Sequence, residues 1–370
     1  MNLYSGGPSW GGNRNVRDAI VYSGWTWETF NVPERIALAL VRLGVRVLYC
    51  EHSASLLRNS EPRQRQLEDG IVGFRPTFLA DRLNQIPVLG ALQTRVLAKQ
   101  ILEKAEALEL NEPLFFYPWL GPKISLLSHL RRKFTLVHIQ MDFGEQNIEE
   151  HVGLSDVTLT IPRSVYHQQR GRFGGKIRFI PQVVDLRNFE SAGNVPIEPS
   201  PALSSIPRPR LGYLGPAFQR INKPLVADLL QKHPEWHFVS VDGDKALSLP
   251  NAHAIPWQSN RELARYAAGF DVGFMPYDCL RGHNLHSLPL KLFEYFALGL
   301  PVVSTPIIEL WDLQDVVYLG DTASDLAEAV EQALREPLDS PKKKKRKEIA
   351  RNHSIENLAG TLKRVLPLDE

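Results

Sequence analysis

The chain has 370 residues, 43% of them hydrophobic and 23% charged, with a formal net charge of +2. That length sets an expectation of two domains, each with enough apolar material for a core, and the near-neutral charge balance argues against the clustered basic face of a nucleic-acid binder. Cys50 and Cys279 are the two cysteines, far apart in sequence, so a disulfide framework or a cysteine zinc site is not expected and a reducing compartment fits.

No apolar run reaches the length of a membrane span, and the Gly- and Ser-rich start, Met1 to Asn15, lacks a signal-peptide core. The expectation is a cytoplasmic protein, with peripheral contact at the inner face of a membrane as a further partner.

The first element is the apolar run Asp18 to Ser23, read as a strand. A turn, Gly24 to Asn31, leads into a helix with Asn31 as N-cap and Pro33 in its first turn, where a missing N–H costs nothing. Ile36, Ala39, Leu40 and Leu43 repeat at helical spacing, Gly44 ends the helix, and Val45 to Cys50 is the next strand. Strand, helix, strand makes a βαβ unit and therefore a parallel sheet. Further strands are expected at 71–74, 114–118, 134–139, 157–161 and 177–180, with helices at about 93–108 and 123–132. Residues 191–209, rich in Pro, Ser and Ala, read as a linker.

A second alternating series follows, with strands at 210–214, 236–241, 252–255, 271–275, 301–304 and 316–319. Helices are expected at 223–232, 260–268, 289–298 and 322–335. The fold class expected is α/β, two Rossmann-like doubly wound parallel-sheet domains facing a cleft: residues 1–190, a linker over 191–209, a second domain over 210–345, and a C-terminal helix over 346–370 that crosses back to the first domain. Ligands of such sheets bind beyond the carboxyl ends of the strands.

Within 289–298, Pro289 suits a first helical turn, and Gly299 suits a helix stop. Lys291 and Glu294 are three apart and share a face. Spacing alone is also met by an ordinary surface ion pair. A lysine in the first turn, where the helix end already favours anions, would make a diphosphate site, and a glutamate one turn on could accept from a ribose diol.

The run Pro289-Leu290-Lys291-Leu-Phe-Glu294-Tyr-Phe-Ala-Leu-Gly299-Leu-Pro301 resembles the donor-site signature of family 4 glycosyltransferases and their close relatives, which have the GT-B fold. The resemblance extends over most of the second half. Leu211 to Gly215 resembles the first donor-domain strand with its glycine turn, Glu262 to Tyr277 the helix and strand before the signature, and Ala350 to Ser354 the lead into the last helix. It implies that Glu294 binds the nucleotide ribose and that Lys291 lies near the donor phosphates. It also implies a nucleotide-sugar co-substrate (UDP-, GDP- or dTDP-linked), no other cofactor, no metal, and retention of configuration. The chain departs from the pattern eight positions before Glu294, where typical members carry a second acidic residue that meets the transferred sugar and this chain has His286. His286 or Asn284 could take that contact, or His286 could be a plain loop residue.

Arg220 and Lys223, after Gly215, would clamp a diphosphate, and the same pair resembles the family's phosphate-binding cations; an ordinary helix start with two basic residues is the alternative. Trp257 could stack on the base or cap a core. Asp242-Gly-Asp244 has the form of a cation-binding pair, but a polar turn is the better reading. In the first half, His138, Gln140 and Asp142 follow a strand and would face the cleft. Asp142 could serve as general base, and His151 is a further candidate beside the donor sugar. Trp25 and Trp27 would meet an acceptor or pack between domains. The basic run Lys342 to Lys347 reads as a solvated helix face, with lipid contact second.

The expected reaction moves a sugar to an acceptor hydroxyl of a polysaccharide, glycolipid or other glycan precursor. Alternatives of other classes are a nucleotide-sugar-binding protein without transfer activity and a sugar-nucleotide 2-epimerase of the same architecture.

Overall fold

A computed structural model describes residues 16–28, 32–55, 63–78, 86–118, 124–141, 148–190, 196–215, 220–241 and 247–368. The chain divides into two units. One runs to Pro181 and takes up the chain again from Ile355; the other spans Gln182–Ser354.

The first unit begins with β1 (Asp18–Tyr22), α1 (Val32–Arg42) and β2 (Arg46–Cys50). A short β3 (Ala54–Ser55), β4 (Gln64–Glu68), β5 (Ile71–Phe74) and β6 (Thr77–Phe78) follow, then α2 (Pro87–Ala107) and β7 (Leu114–Pro118). The series closes with α3 (Ile124–Leu130), β8 (Thr135–Gln140), α4 (Ile148–Leu154), β9 (Val157–Thr160), α5 (Arg163–Phe173) and β10 (Ile177–Phe179).

Eight of these strands form one sheet in the order β10-β9-β8-β7-β1-β2-β5-β4, all neighbours parallel except β4 against β5. The apolar strands β1, β7 and β9 are buried along their whole length, as expected of a parallel sheet covered on both faces. The strand order reverses between β1 and β7.

The second unit holds α6 (Leu186–Phe189), β11 (Arg210–Leu214), α7 (Lys223–Lys232), β12 (His237–Val241), β13 (Ala252–Ile255), α8 (Asn260–Ala268) and β14 (Val272–Met275). Then come α9 (Gly282–Leu285), α10 (Leu290–Leu298), β15 (Val302–Ser304), β16 (Val317–Leu319), α11 (Ala323–Leu334) and α12 (Pro341–Asn352). Its six-stranded sheet, β13-β12-β11-β14-β15-β16, is parallel throughout, and the order reverses between β11 and β14. The last helix, α13 (Ile355–Val365), packs along α1 in the first unit, with Arg42 and Glu356 paired at 3.6 Å.

The basic run differs from a purely solvated face. It forms α12, and Arg346 in its middle is fully buried. The Arg346 guanidinium donates to the carbonyls of Gly299 and Val316 and to the Glu336 carboxylate at 3.0 Å. Lys342 lies 4.1 Å over the Tyr318 ring, Lys345 pairs with Asp315, and Lys344 is exposed. Among the described residues no helix is long and apolar enough to cross a membrane.

Candidate functional site

The point where strand order reverses in an open parallel sheet leaves a crevice at the strands' carboxyl ends, because the flanking loops diverge to opposite sides. In the second unit this falls between β11 and β14. β11 ends at Leu214, and Gly215 just after it has a φ of +92°, which suits a residue without a Cβ. The chain is described again from Arg220, and its return is pinned to the exit of β14. Asn222 N–H donates to Pro276 O, and Asp278 N–H donates to Arg220 O, both at 2.8 Å. Asn284 Nδ2 donates to Arg220 O at 3.1 Å and to Asp278 O at 3.0 Å. Asn222 also caps α7, accepting from Leu225 N–H at 3.1 Å, so Lys223 stands in the first turn of that helix. Arg220 and Lys223 are both partly exposed.

Helix α10 approaches the same crevice. Pro289 precedes it in extended conformation, and Gly299 ends it in the left-handed region. Its apolar period turns Leu292, Phe293, Tyr295 and Phe296 inward, fully or almost fully buried. Tyr295 fixes the helix to the sheet, for its hydroxyl accepts from Leu214 N–H at 2.9 Å and donates to Gly212 O at 3.0 Å. A Cβ on Gly273 would come within 2.5 Å of the Tyr295 ring, so this close approach requires glycine at 273.

Lys291, in the first turn, is half-buried. Its ammonium donates to the Tyr277 hydroxyl at 3.1 Å and lies 4.1 Å from the centre of the Tyr213 ring. A Cβ built on Gly215 would stand 3.9 Å from that ammonium, which places the cation directly at the glycine turn. Among the described residues no carboxylate pairs with it. Glu294, one turn further along α10, is 5% exposed.

The structure thus brings Gly215, Arg220, Lys223, Pro289, Leu290 and Lys291 to the carboxyl edge of one sheet, and Glu294 follows one turn along α10. His286 caps α9 there, partly buried. Asn284 is fully buried, and its amide braces two loops instead of being offered to a sugar. Trp257 follows β13, two strands from β11 and so roughly 10 Å away along the edge, with 53% of its surface exposed. Asp142, Asp242 and Asp244 lie outside the described residues.

The first unit corrects the expectation that His138 and Gln140 line an open crevice. Both are buried, since β8 is covered on both faces. The His138 ring stacks on His151 of α4 with centroids 4.9 Å apart and lies 5.2 Å from Tyr117. Burial pushes His138 down to about 3. Burial, with the neighbouring His138 second, pushes His151 down to about 4. Both rings are therefore neutral near pH 7.

At the carboxyl edge of this sheet stands a group that the sequence reading missed. Glu51, just after β2, is buried and accepts from Trp27 N–H at 2.8 Å, Arg65 at 2.8 Å and Arg75 at 3.5 Å. Trp27 packs edge-on against Tyr49 at 4.9 Å, and Trp25 beside it is half-buried.

No family model matches the chain. A putative teichuronic acid biosynthesis glycosyltransferase of Bacillus subtilis is 30% identical over 154 residues, and the match spans 38% of each chain, well under two thirds of that relative's length. Among solved structures, the sucrose-phosphate synthase of Thermosynechococcus elongatus superposes with a TM-score of 0.70 at 15% identity, covering 95% of this chain and 98% of that one. The trehalose-6-phosphate protein of E. coli bound with UDP-2-fluoro glucose gives 0.67 at 11% identity, covering 96% and 99%. A UDP-forming alpha,alpha-trehalose-phosphate synthase of Burkholderia xenovorans in complex with glucose-6-phosphate gives 0.63 at 12%, covering 95% and 99%. The two doubly wound units are the GT-B architecture.

Proposed function

We propose that this protein is a glycosyltransferase that moves a sugar from a nucleotide-sugar donor to an acceptor hydroxyl on a polysaccharide, glycolipid or other glycan precursor. The observation that carries this reading is the Lys291 ammonium, held without a carboxylate partner among the described residues at the turn beyond β11, where the sheet order reverses. A cation left uncompensated at a helix start is suited to an anion, and a nucleoside diphosphate is the anion that such crevices take. The partial match to a relative named for glycosyl transfer supports the same reading.

When the glycosidic bond breaks, negative charge gathers on the leaving diphosphate. Arg220, Lys223, Lys291 and the N-terminus of α10 meet that charge, which is stabilisation aimed at the transition state. Glu294 accepts from the ribose diol, Trp257 stacks on the base, and His286 takes the sugar contact. The acceptor is glycan or lipid-linked, met at the inner face of a membrane. Transfer proceeds with retention, the diphosphate charge being met by the chain's own cations.

The test is incubation of purified protein with UDP-, GDP- and dTDP-sugars while nucleoside diphosphate release is followed. One donor class is expected to turn over, equally with and without EDTA, and Lys291→Ala should lower kcat/KM about 100- to 1,000-fold. Tight binding of one donor without any turnover would instead mark a nucleotide-sugar-binding protein.

A further inference from the structure

The Lys291 ammonium has an aromatic setting that the donor-site reading does not use. Tyr213 is the fourth residue of β11, and Tyr277 comes two residues after β14, so the two strands that flank the reversal point each send one tyrosine to the same place. Both are almost fully buried, with ring centres 6.2 Å apart and planes at 70°. The ammonium sits 4.1 Å from the centre of one ring and 5.5 Å from the other, and donates to the Tyr277 hydroxyl.

We infer that Tyr277 and Tyr213 are positioning residues for Lys291, a neutral cradle that fixes its ammonium at the Gly215 turn for a diphosphate oxygen. This rests on the donor-site reading above. The physical argument is one of charge. A carboxylate in the place of Tyr277 would hold the ammonium as firmly, but it would neutralise it and repel an incoming diphosphate. A ring face attracts a cation through its quadrupole, and a hydroxyl oxygen does so through its lone pair, and neither brings a net negative charge. Burial raises the Tyr277 hydroxyl well above its ordinary value, so it stays protonated and neutral through the working pH range.

The cradle is itself held in place. Ile221 and Tyr277 form an antiparallel bridge, Asn222 N–H donates to Pro276 O, and Thr305 Oγ1 donates to Tyr277 O at 3.0 Å. Tyr277 therefore has little freedom to leave, and a lysine side chain with several rotatable bonds is confined to one position. A lysine so confined acts on the transition state more than on ground-state binding, because its placement matters most where charge is greatest.

The experiment is a double-mutant cycle on the full chain with the donor that turns over, using Tyr277→Phe, Lys291→Ala and the pair. Tyr277→Phe keeps the ring and removes the hydroxyl. It is expected to lower kcat about tenfold, with donor KM changed less than about threefold and the unfolding temperature unaltered. In the Lys291→Ala background the same substitution should have no further effect, since it acts through the lysine. Tyr213→Leu, which removes the ring face, should likewise lower kcat, by about threefold or more, and this loss too should vanish in the Lys291→Ala background. Affinity for free UDP and GDP by calorimetry gives a readout apart from turnover, expected to weaken several-fold in Tyr277→Phe, since the released diphosphate carries the full charge that the positioned ammonium meets. If Lys291→Ala is costly and Tyr277→Phe is silent or simply additive, the cradle is wrong and the donor site stands. If Lys291→Ala is itself without effect on turnover and diphosphate affinity, the donor-site reading fails first.

Discussion

The carboxyl edges of the two sheets share a topology and differ in electrostatics. At the second unit's edge, the Lys291 cation contacts two tyrosine rings and a hydroxyl, and no carboxylate among the described residues pairs with it. At the first unit's edge, the Arg65 and Arg75 cations converge on one buried carboxylate, Glu51, which also holds the Trp27 amide. The difference separates two uses of charge. An ion pair satisfied inside the chain braces a loop, whereas a cation satisfied only by neutral groups remains free to attract an anion.

Three substitutions or conditions test that contrast, besides those at Lys291 and Tyr277. Glu51→Gln should have the largest effect on stability, a loss of about 3 kcal/mol, because the nearly buried Arg75 guanidinium then faces a neutral amide, while Arg65, partly exposed, can turn to water. Urea denaturation measures it, and sulfate should stabilise the variant more than the parent. A loss no larger than that of a surface pair would mean that the two edges are alike.

Acidification should come next in size. In the unfolded chain His138 binds a proton near its ordinary value of 6.5, while in the fold it does so only at about 3. A folded value below the unfolded one gives stability that is complete above pH 6.5 and is lost as pH falls from 6.5 toward 3. At pH 5 the loss from this one group is about 2 kcal/mol, and His151 adds to it in the same direction. Denaturation followed at pH 7 and pH 5 with tryptophan and far-ultraviolet signals should show the gap, and His138→Phe should narrow it. The smallest effect is expected at Lys344, exposed on α12, where Lys344→Ser should stay within about 0.5 kcal/mol. A larger change would show that α12 depends on more than Arg346.

The second sheet was nearly complete in the sequence because its strands are short apolar runs bounded by turn residues. β11, β13, α7 and α8 have the bounds that their residues suggest. The first half was harder. β4 is an edge strand of mostly exposed polar residues, so it carries no apolar alternation to read. α5 is rich in Arg and Gln and shows no clear stripe, and α2 begins earlier than its periodicity suggests, with Pro87 in its first turn. His138 misled for a related reason. A strand buried on both faces gives no period from which to tell inside from outside, and a histidine there looks like chemistry.

In the candidate site, the signature residues Lys291 and Glu294 were legible, but their setting was not. Tyr277 lies 14 residues from Lys291 in sequence, and they meet only because β14 and the start of α10 open at the same edge. Nor does sequence show that the Asn284 side-chain amide bridges two loops, which are far apart along the chain.

That brace has a consequence for kinetics. The cross-links from Asn222, Asp278 and Asn284 tie Arg220 to the exit of β14 through the chain's own atoms. On the proposed function, a nucleoside diphosphate binding here would need no slow rearrangement at these positions. Its association with this edge should follow a single exponential whose rate constant rises linearly with concentration and falls with added salt, as for an encounter steered by charge.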